Sequence, residues 1–159
     1  MARFPGSWIP GVRAAEIASK RRGTLQAGAT MAQILVYSRQ EHFNGRRQAI
    51  SDVLHGCVTA ALGLPADKRF HRFIGLAAED FIHPADRSER YTIIEISMFE
   101  GRSVEAKKLL IRSIIERFER ELGIAKQDVE ITIHETPKHN WGIRGLPGDE
   151  LTLPYKVEQ

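Results

Sequence analysis

The chain has 159 residues, 42% of them hydrophobic and 27% charged, and a single cysteine, Cys57. That length suits one domain with a core of its own. One thiol excludes an intrachain disulfide and a thiolate metal cluster, which fits a reducing, cytoplasmic setting. No apolar run approaches the roughly 20 residues that span a membrane.

The formal net charge of +3 is unevenly spread. Residues 1–30 hold Arg3, Arg13, Lys20, Arg21 and Arg22 against Glu16, a net +4, so the remainder carries −1. The body therefore lacks the basic face that nucleic-acid binding requires. Residues 1–30 also contain Pro5, Pro10 and four glycines, with no hydrophobic period. Four readings stand side by side: a disordered tail, an organelle transit peptide, a segment that becomes helical on a partner, or translated sequence upstream of a start at Met31. The stretch has the arginines of a transit peptide but few serines, and no continuous apolar region of a secretory signal. Residues 31–159 form the expected domain.

The first strand is expected over Gln33–Ser38, followed by a polar corner over Arg39–Asn44. Asn44 is the expected cap of a helix reaching Leu62. Ile50, Val53, Leu54, Cys57, Val58, Ala61 and Leu62 give that helix one apolar stripe. Cys57 lies on the stripe and reads as core, whereas His55 lies off it and is expected in solvent. Gly63 and Pro65 stop the helix.

A second strand is expected over Phe70–Leu76, then a loop over Ala77–Arg90, long enough to act as a lid or an interface. The third strand, Tyr91–Met98, leads through Glu100-Gly101-Arg102-Ser103 into a second helix, Val104–Leu122. Ser103 can cap that helix, and Glu105 suits the positive end of its dipole. Leu110, Ile111, Ile114, Ile115, Phe118 and Leu122 form the apolar face; the opposite face, Arg117 included, reads as plain surface charge. Gly123 stops the helix, and a fourth strand alternates over Asp128–Glu135. The turn-rich remainder, residues 136–159, must bury Trp141 and Ile143 against the body or another subunit. Leu151–Val157 is a candidate edge strand, with Pro154 tolerated only at an edge.

The two halves repeat at an offset of 60: Ile34 matches Ile94, and Gly63 matches Gly123. This gives two β-α-β units, about 33–76 and 91–135, each with a right-handed parallel crossover. The expected α/β fold is a four-stranded mixed sheet with both helices on one face. Its other face, with Glu95, Glu130, Thr132 and His134, meets solvent or lines an oligomer. The pattern is equally compatible with a ferredoxin-like β-α-β-β-α-β domain.

The Glu100–Ser103 corner admits two readings. In the plain one Gly101 turns the chain and Arg102 is solvated. In the functional one helix N–H groups and the Arg102 guanidinium converge on a carboxylate or phosphate. Lys68, Arg69, His71 and Arg72 surround the start of the second strand and can add positive charge, although alternation sends His71 and Arg72 to opposite faces. The six histidines have no metal-binding spacing, so no metal is expected.

A strand directly after Met31, two β-α-β units, the Gly-Arg-Ser corner and a Trp-containing terminal turn together resemble the tautomerase superfamily. The resemblance runs from about Met31 to Val157. It is carried by Arg69-Phe-His-Arg-Phe, by Ser88 to Ser103, and by Pro137 to Leu151. It points to a 4-oxalocrotonate tautomerase-like or malonate semialdehyde decarboxylase-like fold, a homotrimer and cofactor-free chemistry on small 2-oxo or enol carboxylic acids. The family keeps a proline after the initiator Met, whose amine is the base or acid; here that position is Ala32. Arg102 matches the arginine of the family corner, and a further arginine found in some dehalogenases falls on Phe99. The implied catalytic pair is Ala32, if exposed as the N-terminus, and Arg102. Ser103, Arg72, Lys68, Phe99 and Trp141 are the implied substrate contacts. The alternative is a trimeric small-carboxylate-binding protein without turnover. Neither nucleic acid nor membrane is an expected partner.

Overall fold

The computed structural model describes residues 31–151. The readings of residues 1–30, and of an edge strand beyond Leu151, lie outside these residues. Four strands form the main sheet: β1 (Ala32–Arg39), β2 (His71–Leu76), β3 (Thr92–Phe99) and β4 (Val129–Thr136). Each lies within one residue of its expected place. Their order is β2-β1-β3-β4, with β1 parallel to β2, β3 parallel to β4, and β1 antiparallel to β3. The strands of each unit are direct neighbours, which separates this sheet from the split β-α-β arrangement.

The long helices are α2 (Arg47–Leu62) and α3 (Val104–Leu122), preceded by the four-residue α1 (Gln40–Phe43). Strand alternation sends Ile34 and Val36 of β1, and Ile94 and Ile96 of β3, toward the helices, and all four are at most 1% exposed. Ile50, Leu54, Val58, Leu110, Ile114 and Phe118 meet them from above. Gly63 and Gly123 end α2 and α3 with φ of 66° and 64°, the left-handed conformation a glycine enters without a Cβ clash.

Three local expectations need correction. Asn44 does not cap α2; it closes α1, and α2 starts three residues later without a side-chain cap. Phe43 is the reason: it is fully buried, edge-on to Phe73 at 5.4 Å, and draws the corner into a helical turn. His55 is not solvated but 7% exposed, because the link after α2 folds back and Ala66 O lies 2.8 Å from its Nε2. Arg117 is more than surface charge, since its Nη1 packs 3.8 Å from the buried Cys57 Sγ.

The loop between β2 and β3 is pinned at both ends. Phe81 is 7% exposed and stacks on Tyr91 at 5.5 Å. Ser88 donates its backbone N–H and its hydroxyl to the two carboxylate oxygens of the buried Asp128. The sheet face away from the helices carries Gln33, Leu35 and Tyr37 of β1 opposite Ser97, Glu95 and Ile93 of β3. There Tyr37 donates to Glu95 at 3.0 Å.

Candidate functional site

Register gathers the candidate residues at one end of the sheet. Ala32 pairs with Met98, Thr136 pairs with Phe99, and Ile34 pairs with His71. The starts of β1 and β2 therefore meet the ends of β3 and β4. Ala32 is 4% exposed there, at the edge of the core.

Phe99 and Trp141 form one wall of this end. Their rings meet edge-on at 5.2 Å, and the indole N–H donates to Thr136 Oγ1 at 2.7 Å. A short 3-10 turn, Lys138–Asn140, and a ribbon of β5 (Gly142–Ile143) with β6 (Leu146–Pro147) hold the tail back over the sheet. Gly148 makes this possible: a Cβ there would lie 2.5 Å from the Lys138 carbonyl oxygen. Trp141 is thus half-buried against its own chain.

Arg102 and Ser103 occupy the corner between β3 and α3. Gly101 takes φ of 109°, outside the range of other residues, so the chain turns sharply into the helix. Ser103 caps α3, its Oγ accepting the Ala106 N–H at 3.1 Å, which leaves its hydroxyl hydrogen to donate elsewhere. Arg102 is half-buried; burial draws its guanidinium below the usual arginine value while Glu135 acts in the opposite sense. It stays cationic at any working pH.

One neighbour was not legible in the sequence. Glu135, at the end of β4, turns its carboxylate onto the start of α3. Its Oε1 accepts the Arg102 backbone N–H at 3.4 Å, and its Oε2 lies 2.6 Å from Lys107 Nζ. The helix N-terminus thus has an anion of its own. A register argument could have found Glu135, because Met98 pairs with it across β3 and β4.

Lys68 and Arg72 stand apart from this corner. Lys68 pairs with its neighbour Asp67 at 3.0 Å. Arg72 lies on the open sheet face and donates to Gln33 Oε1 at 2.8 Å. His71 points the other way, with Ser51 Oγ 2.9 Å from its Nδ1. Among the described residues no cluster of three or more His, Cys, Asp or Glu side chains could hold a metal ion, and no helix is long and apolar enough to cross a membrane.

The profile of a family described as tautomerase enzyme matches residues 68–144, which span β2 through β5. A 2-hydroxymuconate tautomerase of Comamonas testosteroni is 40% identical over 57 residues, 36% of this chain and 90% of that protein. A malonate semialdehyde decarboxylase inhibited by 3-bromopropiolate superposes with a TM-score of 0.61 at 28% identity, over 77% of this chain and 99% of the other. An asymmetric trimer of a fused 4-OT superposes with a TM-score of 0.67 at 23% identity, over 76% and 99%.

Proposed function

The chain belongs to the tautomerase superfamily, and on that premise we propose that it is a cofactor-free keto–enol tautomerase of small 2-oxo or enol carboxylic acids, assembled as a homotrimer. The base is the α-amino group of Ala32, exposed when the chain starts there after loss of Met31. Arg102 anchors the substrate carboxylate.

The observation that supports this reading is the pairing of Ala32 with Met98, which sets the first residue of β1 beside the strand end that leads into the Arg102 corner. A free α-amino group has a pKa of about 7.7–8.0, so a useful minority is unprotonated at neutral pH. Its lone pair takes the proton from the carbon next to the ketone. The enolate charge that develops is held by the Arg102 guanidinium. The ammonium then returns the same proton to the oxygen, or to the far carbon of a conjugated system. The proton balance closes on the amine. Trp141, backed by the buried Phe99 ring, supplies an apolar wall, and excluding water there disfavours the ammonium and enlarges the unprotonated share of the amine. Ser103 offers its hydroxyl hydrogen at the same corner.

A second reading is a trimeric protein that binds small carboxylates without turnover. It is favoured by Ala32 itself, a primary amine where the family carries the secondary amine of proline.

The test compares two forms of the protein, one beginning at Ala32 by intact mass and one retaining residues 1–31. In the longer form the Ala32 nitrogen is an amide and has no basicity. Ketonisation of phenylenolpyruvate is expected only in the shorter form, and it should be lost in Arg102→Ala with the fold intact by circular dichroism. Turnover that survives in the longer form, or in Arg102→Ala, overturns the proposal. Arg102-dependent binding of the acid without turnover selects the second reading.

A further inference from the structure

The offset that maps Ile34 onto Ile94 also maps His42 onto Arg102. The Arg39–Arg46 corner is therefore the counterpart of the Glu100–Ser103 corner. Because β1 and β3 are antiparallel, it lies at the opposite end of the sheet. A cavity of about 440 Å³ opens at this second corner, lined by Arg39, His42, Arg46 and Arg90, with Glu41 and Glu89.

Two of its guanidiniums are fixed by the end of α3. Arg46 Nη2 donates to the Leu122 carbonyl at 2.5 Å, and Arg90 Nη1 donates to the Gly123 carbonyl at 2.9 Å. Neither Arg46 nor Arg90 makes an ion pair among the described residues, whereas Arg39 lies 3.5 Å from the largely exposed Glu89. Arg46 Nη1 also points at His42 Nδ1, 3.2 Å away. A guanidinium can only donate, so Nδ1 is the acceptor and the imidazole proton sits on Nε2. That Nε2–H is buried in a residue 8% exposed and has no acceptor among the described residues. Nor has the buried Nε–H of Arg39. Buried donors are ordinarily matched, and an unmatched one costs about 1–3 kcal/mol. A cavity lined by two arginines without carboxylate partners, with two unmatched donors buried in its walls, is complementary to an oxyanion.

We propose that this cleft is a second oxyanion site, which takes the carboxylate or phosphate group of a small molecule between Arg46 and Arg90, against the wall that holds His42. It is distinct from the Arg102 corner and does not depend on a free amine at Ala32. Burial, followed by repulsion from Arg90, holds the Arg46 guanidinium below the usual arginine value, and an anion between the two arginines offsets that repulsion.

The full-length protein labelled with ¹⁵N-histidine is titrated separately with malonate and with inorganic phosphate while the imidazole resonances are followed. His42 should shift saturably in the wild type and in Arg102→Ala. Affinity read at His42 should fall about tenfold or more in Arg46→Gln, in line with the loss of one charge-assisted bond. Since Arg46 also holds the end of α3, Arg39→Gln provides the same reading at a position whose ion-pair partner, Glu89, is exposed. Tighter binding of malonate identifies a carboxylate ligand, and tighter binding of phosphate a phosphorylated one. A His42 resonance that moves with neither anion overturns the proposal. So does a response that vanishes in Arg102→Ala yet persists in both Arg46→Gln and Arg39→Gln.

Discussion

Lys107 Nζ lies 2.6 Å from Glu135 Oε2, in a pair whose side chains are only 26% and 23% exposed. The pair ties the end of β4 to the second turn of α3. It also sets a negative charge beside Arg102, at the corner proposed to take an external carboxylate.

Glu135→Gln separates these two effects. Loss of the charge leaves Lys107 partly buried with a weaker partner, at a cost of about 1–2 kcal/mol. Urea denaturation should show that loss as a lower midpoint at unchanged slope. The affinity of the Arg102 corner for malonate should rise in the same variant, because the competing anion is gone. Calorimetric titration checks this; equal or weaker affinity would mean that Glu135 holds Arg102 in place more than it competes.

Asp128 is 2% exposed and accepts two hydrogen bonds from Ser88, at 2.7 Å from the backbone N–H and 2.5 Å from the hydroxyl. Asp128→Ala leaves both donors without their partner and frees the loop before β3. Donor bonds to a charged acceptor contribute roughly 1.5–3 kcal/mol each, so a loss of at least 2 kcal/mol is expected on denaturation. Amide exchange should quicken at Ser88 while the α2 amides lose no more protection than the global change dictates.

Stability should fall between about pH 6.5 and pH 4. Burial, followed by Arg46 and Arg90, pushes the His42 pKa down to about 4, with Asp128 opposing. Burial, followed by Arg69 and His55, does the same to His71, with Asp52 opposing. In the unfolded chain both titrate near 6.5. Between these values the unfolded state binds protons that the native state refuses, so stability decreases as the pH drops. Each histidine contributes a slope of up to about 1.4 kcal/mol per pH unit. His42→Gln with His71→Gln should flatten denaturation midpoints across this window; an unchanged slope would assign the effect to other groups.

Much of the fold was legible because hydrophobic period is a local property. The apolar run Ile34–Tyr37, the alternation in Asp128–Glu135, the stripe from Ile50 to Leu62, and the glycine stops at Gly63 and Gly123 each need only a few consecutive residues to be read. Ser103 as a cap and Gly101 as a turn were legible for the same reason. Asn44 misled because its local capping tendency lost to the burial of Phe43, a tertiary contact with Phe73. His55 misled because the helical stripe does not reveal that the link after α2 returns to Ala66.

By itself the sequence determined two β-α-β units, their helix ends and the Gly-Arg-Ser corner, because backbone propensity and side-chain period act over neighbouring residues. Only the tertiary structure decided the order β2-β1-β3-β4, and with it the antiparallel pairing that sets Ala32 beside the end of β3. The same pairing turns the two corners to opposite ends of the sheet, where Glu135 meets one and Arg90 the other. Those meetings join residues more than 30 positions apart. Pairing of β3 with β4 inside the second unit brings Glu135 to Arg102, pairing of β1 with β3 brings Arg90 to the first corner, and no local pattern encodes either.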